Sequence, residues 1–478
     1  MSEENRIVQQ LTPLFKPSSV AIIGASATPM KFPTWITSTA LKSSFQGRIY
    51  LVNPKTKEIL GIKTYPRILD IKDNVDLAAI ILPAELIPGV MEECVEKGVK
   101  AAIIFSSGFR EIGEKGIKRE EEVLRIARRG NIRLVGPNCM GIYSSEVNLT
   151  LSIISFREKG EIAFITQSGG YGIEICSSAM SRGINFSKFI SVGDKIDIQD
   201  YEYLEYLYQD PDTRAIMMYI EGIEKGREFL NTAKKVTRRK PIFVIKIGRT
   251  IEGSRAASSH TGALAGKDAL YDAVFKQSGI IRAYDVEELF DYLKAYLTQP
   301  LPKGNRVGLL VGSGGVGCAA TDKCIELGLQ VPEISEENKE MLKAILPEFA
   351  SVRNPVDFTA SGAQGIFTNT QVLKKLFADP NIDAWFFGGF TSSSIAEIKD
   401  IIEQFRPVID KINSKDLMGE VKVPLVGSMD ENDIVRPIME KMFGAIFYPT
   451  PERAIRAIAA LHRYRNYLRN KEAEDSNY

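Results

Sequence analysis

The chain has 478 residues, 44% hydrophobic and 25% charged, an ordinary globular composition with length for about three domains. Its 61 Lys and Arg nearly cancel 60 Asp and Glu, so it lacks the basic excess of a nucleic-acid surface. The polar start MSEENRIVQQ and the absence of any apolar run near the ~20 residues of a membrane helix point to a cytoplasmic protein with no membrane contact. Cys94, Cys139, Cys176, Cys318 and Cys324 form no Cys-x-x-Cys pair, and there are only two histidines, which argues for reduced thiols and against a metal centre.

In the first 140 or so residues short apolar runs alternate with helical patterns. SVAIIGAS, RIYLVNPK, LAAIILP, AAIIFSSG and IRLVGPN read as buried strands, with IPGVMEECVEKGV and EEEVLRIARRGN as amphipathic helices between them. This predicts an α/β fold, a parallel sheet covered on both faces, over residues 8–145. The loops after such strands are where ligands bind. The first is Gly24-Ala25-Ser26, which can offer backbone N–H groups to a phosphate but lacks the three glycines of a dinucleotide fingerprint. The second strand ends in Asn53-Pro54-Lys55, and its lysine favours a ligand with extra phosphate charge, such as coenzyme A or NADP.

A second unit spans 150–297, with strands EIAFITQSG, FSKFISVGD, AIMMYIEG and IFVIKIGR. Thr166-Gln-Ser168-Gly169-Gly170 fails the G-x-S-x-G hydrolase elbow, because Thr stands at its first position, and reads instead as an anion-binding helix start. Glu221 ends a strand at the same sheet edge. His260 lies in SRAASSHTGALAG, where small flanking residues let a loop enter a narrow cleft. A neutral imidazole is a competent phosphoryl acceptor, and a carboxylate such as Glu221 suits its second ring nitrogen. TQPLPKGN then reads as a linker.

The third unit, 304–466, opens with RVGLLVGSGG. Gly312-Ser313-Gly314-Gly315-Val316-Gly317 satisfies G-x-G-x-x-G, which leaves NAD binding open beside a second single-phosphate helix start. His462, on the C-terminal pattern PERAIRAIAALHRYRNYL, reads as a packing or surface residue.

SSHTGALAG, GPNCMG at 136–141, YIEGI at 219–223, FITQSGG at 164–170 and NPVDFT at 354–359 together resemble one family. It is the NDP-forming acyl-CoA ligases related to succinyl-CoA synthetase, and specifically the alpha subunits of ADP-forming acetyl-CoA synthetases. The resemblance runs from about residue 8 to 465. It implies a Rossmann-like CoA-binding domain followed by two flavodoxin-like ligase domains. It implies phosphorylation of His260, held by Glu221, with Ser168, Gly169 and Gly170 and Ser313, Gly314 and Gly315 as two phosphate-facing helix starts. CoA would meet Gly24, Ala25, Ser26, Asn53, Pro54, Lys55, Pro83, Ser106, Ser107, Gly108 and Asn138. Asn354, Asp357, Gly388, Gly389, Phe390 and Thr391 would line the acyl pocket, where the absence of arginine from FGGFTSS favours a monocarboxylate such as acetate.

The three units leave no room for an ATP-grasp domain. A separate beta subunit would therefore bind ATP or ADP with Mg, in an α2β2 heterotetramer. The rivals from other classes are an acyl-CoA-binding sensor or inactive homologue without ligase activity and an NADP-linked oxidoreductase built on Gly312 to Gly317.

Overall fold

The computed structural model describes residues 3–255, 267–359, 366, 370–390, 422–429 and 435–476. The apolar runs of the N-terminal region form β1 (Ser19–Ile23), β2 (Arg48–Val52), β5 (Leu77–Ile80), β6 (Ala101–Ile104) and β7 (Arg133–Val135). A short pair, β3 (Glu58–Ile59) and β4 (Ile62–Tyr65), extends one edge. The order is β3-β4-β2-β1-β5-β6-β7, parallel except for β3. Every residue of β1, β5 and β6 is buried, as expected of a sheet covered by helices on both faces.

The second sheet contains β10 (Lys159–Thr166), β11 (Phe186–Ser191), β12 (Ala215–Ile220), β13 (Ile242–Lys246) and β14 (Ile281–Ala283). It also holds an antiparallel hairpin, β8 (Ile142–Ser144) and β9 (Leu149–Leu151), in the order β14-β13-β12-β10-β11-β8-β9. The helix Glu3–Phe15 buries Ile7, Leu11, Leu14 and Phe15, and Phe15 packs its ring 4.5 Å from that of Tyr206 at a tilt of 33°. One apolar cluster runs from Phe15 and Ile22 through Phe105 and Ile142 to Ile165 and Met218, so both sheets share a continuous core. They belong to one compact unit, Met1–Tyr284; Asp285–Tyr478 is the other.

The second unit holds a parallel sheet, β16-β15-β17-β18-β19, from β15 (Val307–Val311), β16 (Val356–Asp357), β17 (Ala384–Phe390), β18 (Leu425–Met429) and β19 (Ile446–Tyr448). The helix Val286–Thr298 packs here, although its sequence position groups it with the span 150–297. Its Asp291 accepts two 2.7 Å hydrogen bonds from Arg453 on the helix Pro451–Ser476. His462, on that same C-terminal helix, is half-buried, and burial lowers its pKa.

In each sheet the first parallel strand in chain order sits between strands that lead off in opposite directions. The chain order reverses between β1 and β5, between β10 and β12, and between β15 and β17. Such reversals open a crevice at the carboxyl ends of the strands. No helix among the described residues is long and apolar enough to cross a membrane.

Candidate active site

Gly24 follows β1 directly and has φ +91, and a Cβ there would lie 2.4 Å from the Ile81 carbonyl oxygen. Only glycine lets the turn pass between the ends of β2 and β5. Asn53 ties this turn down by donating from its amide to the Ala25 carbonyl at 2.8 Å, and it accepts from the Lys55 N–H at 2.8 Å. Lys55 and Pro83 are exposed on the same sheet edge. Ser106 donates its hydroxyl to the Leu82 carbonyl, and the Asn138 N–H donates to the Ser106 carbonyl at 2.9 Å. Glu111 accepts from the backbone N–H groups of Gly108 and Phe109, which holds the Ser107–Gly108 loop.

In the second sheet β10 runs into the helix Gly169–Ser181, with Ser168 at its N-cap. No side chain caps this helix and its first turn has no acidic residue, so its amide dipoles face the crevice uncompensated. Across the same reversal, Glu221 follows β12 and is 7% exposed. Its backbone is pinned from two sides. Gln167 Oε1 accepts the N–H of Glu221 and, at 2.9 Å, that of Gly222. Lys195 Nζ donates to the Gly222 carbonyl at 2.8 Å and forms a buried ion pair with Asp200 at 2.6 Å. The segment 256–266, which includes His260, lies outside the described residues, as does Thr391.

These two halves meet in a cavity of about 500 Å³. Ser106, Ser107 and Asn138 line it from the first sheet's loops, and Gln167, Ser168, Gly169 and Gly170 from the helix start. Phe32, Phe105, Cys139 and Met140 give it an apolar side, and Gly193 and Asp194 complete the lining. Burial pushes the Cys139 thiol up to about 12. Burial also pushes the Asp194 carboxyl up to about 7, with Glu111 adding to the rise and Asn138 opposing it. Gly24 to Ser26, Asn53 to Lys55, Pro83 and Gly108 stand outside this lining, along the carboxyl edge of the first sheet.

The second unit gathers its own candidates at the reversal between β15 and β17. Ser313 caps the helix Gly314–Glu326 without a side-chain hydrogen bond. Gly389 has φ +84, and a Cβ there would lie 2.9 Å from the Ser313 nitrogen, so a glycine is needed beside the helix start. Asp357 faces the same turn, its Oδ2 3.4 Å from where a Gly314 Cβ would be. A carboxylate there already complements the helix dipole. Asn354 is committed elsewhere. Its amide donates to the Val307 carbonyl at 2.8 Å and the Pro332 carbonyl at 2.7 Å, and it accepts the Leu309 N–H at 2.9 Å, bracing the start of β15.

Four residues escaped the sequence reasoning: Gln167, Asp194, Lys195 and Lys246. Lys246 ends β13 in register with Ile220, is 2% exposed, and sits 4.6 Å from the Tyr271 ring. Burial lowers its pKa, against the attraction of Asp268 and Glu221. The available signal was a polar residue at the carboxyl end of a strand in a parallel sheet, as in FITQSG, FISVGDK and FVIKIG.

The chain matches a CoA binding domain over residues 18–145, a succinyl-CoA ligase like flavodoxin domain over 159–296 and a ligase-CoA domain over 307–469. It is 41% identical over 390 residues to the alpha subunit of acetate–CoA ligase (ADP-forming) II of Pyrococcus furiosus, covering 80% of this chain and 84% of that one. It is 39% identical to acetate–CoA ligase (ADP-forming) I of Archaeoglobus fulgidus, covering 94% of this chain but 63% of that longer one. Among solved structures, acetyl-coenzyme A synthetase 1 of Candidatus Korarchaeum cryptofilum, in complex with phosphate and ADP, superposes with a TM-score of 0.85 at 35% identity, covering 96% of this chain and 98% of that chain. With this likeness over nearly its whole length, the chain belongs to the alpha-subunit family of the ADP-forming acetate–CoA ligases.

Proposed function

We propose that this chain is the acyl-CoA- and phosphate-binding subunit of an ADP-forming acyl-CoA synthetase, interconverting acyl-CoA, phosphate and ADP with acid, CoA and ATP. One observation carries this reading: a single cavity is lined by the loops of a CoA-binding sheet and by an uncapped helix start suited to phosphate.

Phosphate held at Ser168–Gly170 attacks the thioester carbonyl of a CoA whose diphosphate lies along Gly24–Ser26 and Lys55. CoA leaves and acyl phosphate remains. His260 then takes the phosphoryl group through one ring nitrogen, the acyl O–P bond breaking to release the carboxylic acid as its carboxylate, with the Glu221 carboxylate bonded to the other nitrogen. The helix dipole at Gly169 stabilises the charge on the transferring group, the main catalytic contribution in phosphoryl transfer. The segment carrying His260 delivers the group to ADP on a beta subunit, whose ATP-grasp domain holds nucleotide and Mg. The chain spans 63% of the length of the Archaeoglobus relative. An α2β2 assembly in the cytoplasm suits this division of labour.

Incubation with acetyl-CoA and labelled phosphate, followed by peptide mapping, tests the reading. Acid-labile, base-stable label on the peptide containing His260 is expected. Label on another residue, or none in a complex that turns over, overturns it.

A further inference from the structure

Asp194 is placed in the cavity by its backbone. Gly193 (φ +58) packs so closely on the preceding loop that a Cβ there would lie 2.0 Å from the Pro137 carbonyl oxygen. The Asp194 N–H donates to that same carbonyl at 3.0 Å. The side chain therefore lies beside Asn138, whose amide makes one long contact of 3.5 Å with Oδ1. Oδ2 is buried and has no hydrogen-bond partner among the described residues. A buried carboxyl oxygen left unpaired is expensive unless a ligand or a proton satisfies it.

The charged groups around Asp194 are unbalanced. Glu111 and Glu120 face it with negative charge. Arg110, the facing cation, is spent on Glu120 through Nε at 2.9 Å and lies 3.6 Å from Glu224. Together with burial this holds the carboxyl at about 7, so it is protonated in about half the molecules at neutral pH. The other titratable group on the described lining is Cys139, whose high pKa and 3.4 Å hydrogen bond to the Ile104 carbonyl make it a poor proton donor.

We propose that Asp194 is the general acid–base of the thioester step, protonating the CoA sulfur as it leaves and then taking the proton carried in by phosphate. This rests on the function proposed above. The step balances as follows. A phosphate oxygen forms a bond to the acyl carbon, the C–S bond breaks, and its electron pair goes to sulfur, which takes the Asp194 proton to give CoA thiol. The phosphoryl hydroxyl of the new acyl phosphate returns its proton to the Asp194 carboxylate. The sum is acyl-CoA plus monohydrogen phosphate giving acyl phosphate dianion plus CoA. No oxidant or further reactant enters. In the reverse direction the carboxylate removes the thiol proton as CoA attacks.

The test uses the complex with its nucleotide-binding partner and compares wild type, Asp194→Asn and Asp194→Glu in two half-reactions. Release of free thiol from acetyl-CoA in the presence of phosphate or arsenate reads the thioester step. ATP formed from acetyl phosphate and ADP reads phosphoryl transfer. Asp194→Asn is expected to slow thiol release about 100-fold or more, with the KM for acetyl-CoA changed less than about threefold. It should also abolish the wild-type limb of the pH–rate profile near pH 7 while slowing the acetyl phosphate reaction far less. Asp194→Glu should restore part of the rate and move the limb, and it reads the same question if the Asn variant folds poorly. Thiol release at the wild-type rate and pH profile in Asp194→Asn overturns the relay, as do equal losses in both half-reactions. A wild-type complex that makes ATP from neither substrate overturns the proposed function, and the relay with it.

Discussion

Gln167 accepts the Gly222 N–H at 2.9 Å, joining the loop after β10 to the loop after β12. The same oxygen takes the N–H of Glu221. A single side-chain amide thus sets the position of the carboxylate relative to the phosphate-facing helix, because Ser168 follows Gln167 directly. Replacing Gln167 with Ala leaves two loop N–H groups without their acceptor. A loss of about 1–3 kcal/mol in unfolding free energy is expected, with a fall in His260 phosphorylation larger than stability alone explains. Denaturant unfolding together with phosphate labelling measures both.

Lys195 holds the other side of the Glu221 loop, and its partner Asp200 is 2% exposed. Lys195→Met removes one member of a buried ion pair and leaves the carboxylate unpaired. The expected cost is about 3–5 kcal/mol, read as a shift of the urea midpoint. The double variant Lys195→Met/Asp200→Leu should recover much of that loss.

Glu221→Gln keeps the side chain's shape and removes its charge. Steady-state phosphohistidine and ATP formation should both drop about 100-fold, with little change in melting temperature. Full labelling of His260 in this variant would show that another group orients the imidazole.

Gly24→Ala forces a Cβ toward the Ile81 carbonyl at a φ of +91. The turn must shift, at a cost of about 1–3 kcal/mol, and the KM for CoA should rise. Gly98→Ala, at φ +77 with open space around it, is the matching control: backbone strain without the collision, and unchanged CoA binding.

Asp194 also predicts a pH-dependent stability. Its folded pKa, about 7, lies above the usual carboxylate value, so the folded state holds the proton more tightly than the unfolded chain. The stability this contributes is full below about pH 4 and is lost as pH rises toward about 7. Asp194→Asn should therefore be more stable than wild type by about 4 kcal/mol at pH 8, and this advantage should disappear by about pH 4. Melting curves across that range measure the crossover.

The parallel strands were legible because residues buried on both faces leave continuous apolar runs, as in VAII and LAAI. The helix Glu3–Phe15 was hidden by its polar N-terminal half, although Ile7, Leu11, Leu14 and Phe15 carry a helical spacing. The placement of Ser168, Gly169 and Glu221 at the carboxyl ends of β10 and β12 could be read because each follows a continuous apolar strand pattern. Asp194 could not, since its position depends on Gly193 meeting Pro137, 56 residues earlier in the chain. Asn354 shows the opposite case. It sits in a suggestive motif, but its side chain braces the backbone at Val307, Leu309 and Pro332.

The passage from the first sheet to the second is itself part of the cavity wall: Asn138, Cys139 and Met140 lie between β7 and β8 and all three face the cavity. Most inter-sheet connections can be lengthened, nicked or re-threaded without loss. This one is both hinge pin and floor. Splitting the gene or permuting the termini at residues 137–141 should destroy catalysis even if both halves fold and reassociate, whereas a cut beside the exposed Lys303 leaves that floor intact.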